Sequence, residues 1–89
     1  MDKQEAIEKA GANKSTMQAI LTCQVIDEVE KHGVITRAKA IRINCKNYGF
    51  EDRARMHSGV PVMADCVFRK LINIGYIYKK EPGLYVKCN

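Results

Sequence analysis

The segment from Val67 to Val86, VFRKLINIGYIYKKEPGLYV, constrains the fold more than any other part of this 89-residue chain. Val67, Leu71 and Ile74 recur at helical spacing, which predicts an amphipathic helix with one apolar face. Gly75 then falls where a helix commonly ends in a left-handed residue. Tyr76-Ile77-Tyr78 and Leu84-Tyr85-Val86 are rich in β-formers and flank Glu81-Pro82-Gly83, so a β-hairpin is expected to follow. Pro82-Gly83 suits the centre of a type II turn, which splays hairpin strands, and this predicts a loose tip.

A chain of this length suits one small domain whose core needs no staples but confers only marginal stability. Its hydrophobic fraction of 46% argues against wholesale disorder. No apolar run approaches the roughly 18 residues needed to span a bilayer. Met1-Asp2-Lys3-Gln4-Glu5 does not read as a signal peptide, so a cytoplasmic location and no membrane partner are expected. The net charge is +5 but unevenly spread. Residues 1 to 33 hold four Lys/Arg against six Asp/Glu, a balance of −2, whereas residues 34 to 89 hold eleven against four, a balance of +7. A basic part beside an acidic part suggests one face for a polyanion and another for packing or a protein partner. An ordinary solvated basic surface is the bland alternative.

Residues 2 to 10 are helix-prone but offer only Ala6, Ile7 and Ala10 as apolar contacts before Gly11-Ala12-Asn13 interrupts, so residues 1 to 14 read as a helical extension or a mobile arm. Residues 15 to 89 read as the main domain. Ser15 and Gln18 form a capping-box pattern ahead of a stripe of Met17, Ile20, Leu21, Val25 and Val29, flanked by Cys23 and Ile26. This predicts a scaffold helix over about residues 16 to 31, closed by His32-Gly33. Its acidic end, Asp27, Glu28 and Glu30, would repel a phosphate backbone. Val34-Ile35 predicts a short strand, and Thr36 a cap for a second helix to about Asn47, with Ala38, Ile41 and Cys45 inward. The connector from Tyr48 to Val60 either adds a helical turn that inserts Phe50 and Met56 into the core or forms a basic loop. A third helix is expected from near Pro61, with Ser58 or Gly59 at its cap. Met63, Val67, Leu71 and Ile74 should face inward, with Asp65, Arg69 and Asn73 outward and Val62 and Lys70 at the margins. In the hairpin, Ile77 and Val86 should meet the core, leaving Lys79, Lys80 and Lys87 to solvent or phosphate beside Tyr78 and Tyr85.

Four cysteines, at 23, 45, 66 and 88, form no CxxC pair, so neither a structural zinc site nor disulfides are expected. Cys23 and Cys66 read as small buried hydrophobes and Cys88 as a free thiol. His32 reads as a helix-end residue, and His57 belongs to no catalytic pattern. The glycines form neither a phosphate loop nor a dinucleotide fingerprint. No enzyme activity and no cofactor are expected.

The order helix, short strand, helix, connector, helix and basic hairpin, together with the Leu71-Ile74-Gly75-Ile77 pattern, resembles winged helix-turn-helix DNA-binding domains. The connector is longer than the tight turn usual there. The resemblance implies an α+β fold of three helices with a C-terminal β-hairpin wing, and sequence-specific binding of double-stranded DNA as a transcriptional regulator. It places Arg37, Lys39, Arg42 and Lys46 of the second helix at phosphates, with Arg53, Arg55 and Ser58 of the connector nearby. Val62, Arg69, Lys70 and Asn73 of the third helix would stand at the major groove, and Lys79 and Lys80 of the wing at an adjacent groove or phosphate. The compact build resembles phage and mobile-element regulators, and pairing into a homodimer through the N-terminal helix would extend the site. Asp65 counts against a strong DNA reader, although it could accept from a cytosine amino group or orient Arg69. The alternative is a winged helix that docks on and modulates a larger nucleic-acid-processing complex, using exposed tyrosines, the Arg53/Arg55 connector and the acidic helix end.

Overall fold

A computed structural model describes residues 1–50 and 57–89 of the chain. Asp2 starts the first helix, α1 (Lys3–Lys9), by accepting a hydrogen bond from the Glu5 N–H at 2.8 Å. Seven residues are too few for a helix to persist in water alone. Packing holds this one, because Ala6, Ala10 and Ala12 are buried in the common core and Ile7 lies against it. The first residues are therefore a docked helix rather than an arm.

The second helix, α2 (Met17–His32), is capped by Thr16 and not by Ser15. Thr16 Oγ1 accepts from the Ala19 N–H at 3.2 Å, a reach that Ser15, one residue further out, does not make. Its buried face is Ala19, Leu21, Thr22, Val25, Ile26 and Val29, whereas Ile20 is exposed and Met17 only half-buried. The expected stripe was rotated because Thr22 is polar by type yet sits inside, its hydroxyl donating to the Gln18 carbonyl at 2.7 Å. Gly33 ends the helix in the left-handed region, and the chain enters β1 (Val34–Thr36).

Thr36 caps α3 (Arg37–Asn47) by accepting from the Lys39 N–H at 3.1 Å. Ala40, Ile41, Asn44 and Cys45 face the core, while Ala38 is exposed. A fully buried asparagine hides this face from an apolar pattern. It is tolerated because its side-chain amide donates to the Val60 carbonyl at 3.2 Å, and an unpaired buried amide would be costly. Gln24 and Asn47 exchange two amide hydrogen bonds, at 3.1 and 2.7 Å, and join α2 to α3. Phe50 packs partly against the core; residues 51 to 56, and with them Arg53, Arg55, Met56 and the nature of the connector, lie outside the described residues.

The fourth helix, α4 (Gly59–Asn73), begins two residues before Pro61, which sits in the first turn where its missing N–H needs no partner. Ser58 precedes it without a side-chain cap, and His57 Nδ1 accepts from the Gly59 N–H at 3.1 Å instead. Val60, Ala64, Val67, Phe68 and Leu71 are buried, with Met63 and Ile74 half-buried at the edge. Gly75, at φ +83°, ends the helix: its N–H bonds the Ile72 carbonyl and the next N–H, of Tyr76, bonds that of Leu71, both at 3.0 Å. The chain then forms β2 (Ile77–Glu81) and β3 (Leu84–Lys87).

The three strands make one antiparallel sheet in the order β1-β3-β2. Val34 pairs with Val86 and Tyr78 with Val86, while Ile35 pairs with Tyr85 and Lys79 with Tyr85. Successive residues alternate faces, so Ile35 and Tyr85 point to the helices and Val34, Val86 and Tyr78 form a row on the outer face. Tyr85, not Val86, is the buried member of β3. Tyr76 is also buried; its hydroxyl donates to Glu30 Oε2 at 2.7 Å, and Lys87 reaches the same oxygen at 2.7 Å, which fastens the hairpin root to α2. The product is an α+β fold in which, among the described residues, four helices pack on a small three-stranded sheet. No helix among the described residues is long and apolar enough to cross a membrane.

Candidate functional site

Helical periodicity that buries Val60, Ala64, Val67, Phe68 and Leu71 necessarily turns Val62, Asp65, Arg69, Ile72 and Asn73 outward. The β2–β3 hairpin rises beside this strip and leaves a groove of about 570 Å³ between them. Arg69 and Ile72 of α4 form one wall, and Lys79, Pro82 and Gly83 of the hairpin form the other. Phe68 and Tyr85 form the floor, stacked with ring centroids 3.9 Å apart and planes within 10° of parallel.

Arg37 and Asp65 close one side of this groove. Arg37 Nε donates to Asp65 Oδ1 at 2.8 Å and its Nη2 to Oδ2 at 3.0 Å, a bidentate pair joining the start of α3 to α4. Both side chains remain 42% exposed. The Arg37 backbone N–H also donates to the Gly83 carbonyl at 2.8 Å, so the hairpin tip is tied to α3 and is not loose. The Arg37 hydrogen bonds hold the Asp65 carboxyl below its usual range, and the charges of Arg69 and Lys79 push the same way. Burial raises the Tyr85 hydroxyl, with the Asp65 charge adding to it.

The expected site residues therefore divide. Arg37 lies at the groove but its guanidinium is taken up by Asp65 rather than standing ready for a phosphate. Arg69 and Lys79 line the groove, and neither forms an ion pair with a described residue. Lys80 is exposed at a bulge where the β2–β3 register shifts between Lys79 and Glu81. Val62, 58% exposed, and Asn73 stand on the same α4 strip beyond the groove lining. Arg42 and Lys46 are exposed on α3, with Lys39 half-buried near its start. Ser58 is exposed at the start of α4. Lys70 faces a separate recess of about 200 Å³ with Lys14 and Thr16.

Asp65 does not orient Arg69 by a hydrogen bond; its partner comes from 28 residues away. Phe68, absent from the expected inner face, supplies the groove floor, and its spacing from Ala64 and Leu71 was the available signal. Tyr85 is not an exposed tyrosine either, which leaves Tyr78 as the exposed one of the hairpin. The acidic end of α2 is engaged within the chain: Asp27 pairs with Lys3 at 2.6 Å, Glu28 with His32 at 3.6 Å, and Glu30 with Lys87 and Tyr76. No disulfide joins the four cysteines, and only Cys45 is fully inside. Among the described residues no three His, Cys, Asp or Glu side chains gather as a metal site requires.

Chemically, this is a groove with an aromatic floor, two cations that form no ion pair with a described residue, and one neutralised ion pair. Its walls present the positive charge of Arg69 and Lys79. The chain matches no protein-family model, no curated protein and no solved structure.

Proposed function

We propose that the chain is a winged helix-turn-helix domain that binds double-stranded DNA, with α4 as the reading helix and the β2–β3 hairpin as the wing, and that it serves as a transcriptional regulator. The observation that carries this reading is the groove itself: Arg69 on an exposed helix strip faces Lys79 on the hairpin, and neither is paired with a described acidic residue. The element order adds support, since a short strand before α3 pairs with the returning hairpin strand. In this reading Arg42, Lys46 and Lys80 contact phosphates, while Arg69 and Asn73 meet base edges, arginine suiting guanine and asparagine suiting adenine.

Fluorescence anisotropy with a random-sequence duplex across a salt series tests it. Log affinity should fall against log salt with a slope of roughly −0.9 for each phosphate neutralised. Arg42→Ala and Lys80→Ala should weaken binding alike on every sequence and flatten that slope. Arg69→Ala should instead lose about 1–3 kcal/mol at particular base pairs of a selected site. Absence of duplex binding at roughly 50 mM salt rejects the proposal, because phosphate contacts are strongest there. A second reading, a module that docks on a protein of a larger nucleic-acid-processing complex, is favoured by one feature. The row of Val34, Val86 and Tyr78 crosses the outer sheet face, where Val34 and Tyr78 are 40% and 46% exposed.

A further inference from the structure

We infer that Asp65 limits the sequence-independent affinity of the groove: by holding the Arg37 guanidinium through both carboxylate oxygens, it withholds from phosphate a cation that would otherwise bind any sequence. The inference rests on the reading of the groove as the duplex-facing surface. Three observations lead to it. The Arg37–Asp65 pair borders the groove and is partly open to solvent, so the guanidinium is within reach of anything that enters. Its geometry is the fork-on-carboxylate arrangement that a phosphate would also satisfy, so the two anions compete for the same donors. Asp65 also stands among Arg69 and Lys79, where a carboxylate repels a phosphate that those cations attract.

Phosphate contacts raise affinity for every sequence equally, whereas contacts to base edges raise it for one. An internal carboxylate that withholds one phosphate contact therefore weakens binding to every duplex alike and leaves the difference between sequences to the base contacts. Arg37 therefore works in the free protein as a strut between α3, α4 and the hairpin tip, to which its backbone N–H is bonded.

The test compares wild type, Asp65→Asn, Arg37→Ala/Asp65→Asn and Glu81→Gln for binding of a random-sequence duplex across a salt series, with Tm recorded for each. Glu81→Gln removes the same charge from an exposed hairpin position and so measures the general effect of one fewer carboxylate. Asp65→Asn should bind random duplex roughly tenfold more tightly at about 50 mM salt, with a slope steeper by about 0.9, the signature of one added phosphate contact. The gain should exceed that of Glu81→Gln, and the excess should vanish when Arg37 is also replaced. A purely structural role would lower Tm without steepening the slope. If wild type binds but Asp65→Asn gains no more than Glu81→Gln, the inference is overturned while the duplex reading stands. If neither wild type nor Asp65→Asn binds, both fall. Should Asp65→Asn not fold, the wild-type complex decides by NMR. The Arg37 Nε–H resonance should keep its free-protein position on random duplex, and a shift showing transfer to phosphate overturns the inference.

Discussion

Phe68 joins the core to the groove, and its truncation tests both. The side chain is 1% exposed, and its ring stacks on Tyr85 of the central strand at a centroid separation of 3.9 Å. Phe68→Ala removes a buried aromatic ring and leaves a void under the sheet, which costs about 3–5 kcal/mol. Stacking contributes a further ~0.5–1.5 kcal/mol beyond the area buried. A chain of this length has a total stability of roughly 4–13 kcal/mol, so the variant should lie near the edge of folding. In thermal unfolding followed by circular dichroism, Tm should fall by roughly 15–50 °C. Phe68→Leu keeps most of the apolar volume and loses the stack, so a cost of about 1–2 kcal/mol is expected. A cycle of Phe68→Leu with Tyr85→Leu isolates the ring–ring coupling, expected at roughly 0.5–1.5 kcal/mol. A Phe68→Ala loss below about 1 kcal/mol in urea unfolding with an unchanged m-value refutes the placement of this ring in the core, since a fully buried phenyl cannot be removed so cheaply.

Gly75→Ala should cost about 1–2 kcal/mol by urea unfolding, because φ is +83° and an added Cβ meets no atom within 4 Å, so only the left-handed backbone is penalised. A much larger loss would mean that the site is also sterically closed. Tyr76→Phe should fall at the lower end of the roughly 1.5–3 kcal/mol typical of a hydrogen bond to a charged group, since Glu30 keeps Lys87 as partner; no change in stability would exclude that bond. The Lys87 and Tyr76 hydrogen bonds lower the Glu30 carboxyl from its usual value. Its contribution to stability is therefore complete above the unfolded-state pKa of about 4.3 and is lost as pH falls through the lower folded-state value. Glu30→Gln should flatten the decline of stability in that acidic window while leaving the slope at neutral pH unchanged, and a pH profile parallel to wild type would show that Glu30 does not titrate differently on folding.

The order of elements was legible in the sequence wherever a local rule set it. Thr36 at the start of α3, Gly33 and Gly75 at helix ends, and Pro82-Gly83 between β2 and β3 act through the backbone of their own neighbours, and they stand where expected. Helix faces were less legible, because apolar type stood in for burial. Thr22 and Asn44 are polar yet inside, each satisfied by a carbonyl, and a pattern of apolar residues alone leaves them out of the inner faces of α2 and α3. The site divides in the same way. That Arg69 and Asn73 share an exposed strip follows from a period of 3.6 residues, and that Lys79 and Lys80 belong to the hairpin follows from the turn.

What Arg37 and Asp65 do could be decided only by tertiary structure. Read along the chain, the one was a phosphate contact and the other an unfavourable charge. Folding sets them 28 residues apart in sequence and 2.8 Å apart in space, where each neutralises the other. Periodicity and capping report on atoms within one or two helical turns, so they determine which elements form and which side chains face outward. Pairing between α3, α4 and the hairpin tip depends on how those elements pack, and packing is settled by the whole core at once. The sequence by itself therefore determined the succession of helices and strands and the basic balance of residues 34 to 89. Among the described residues, the fold decided which of those cations are spent on the protein's own carboxylates and which line the groove.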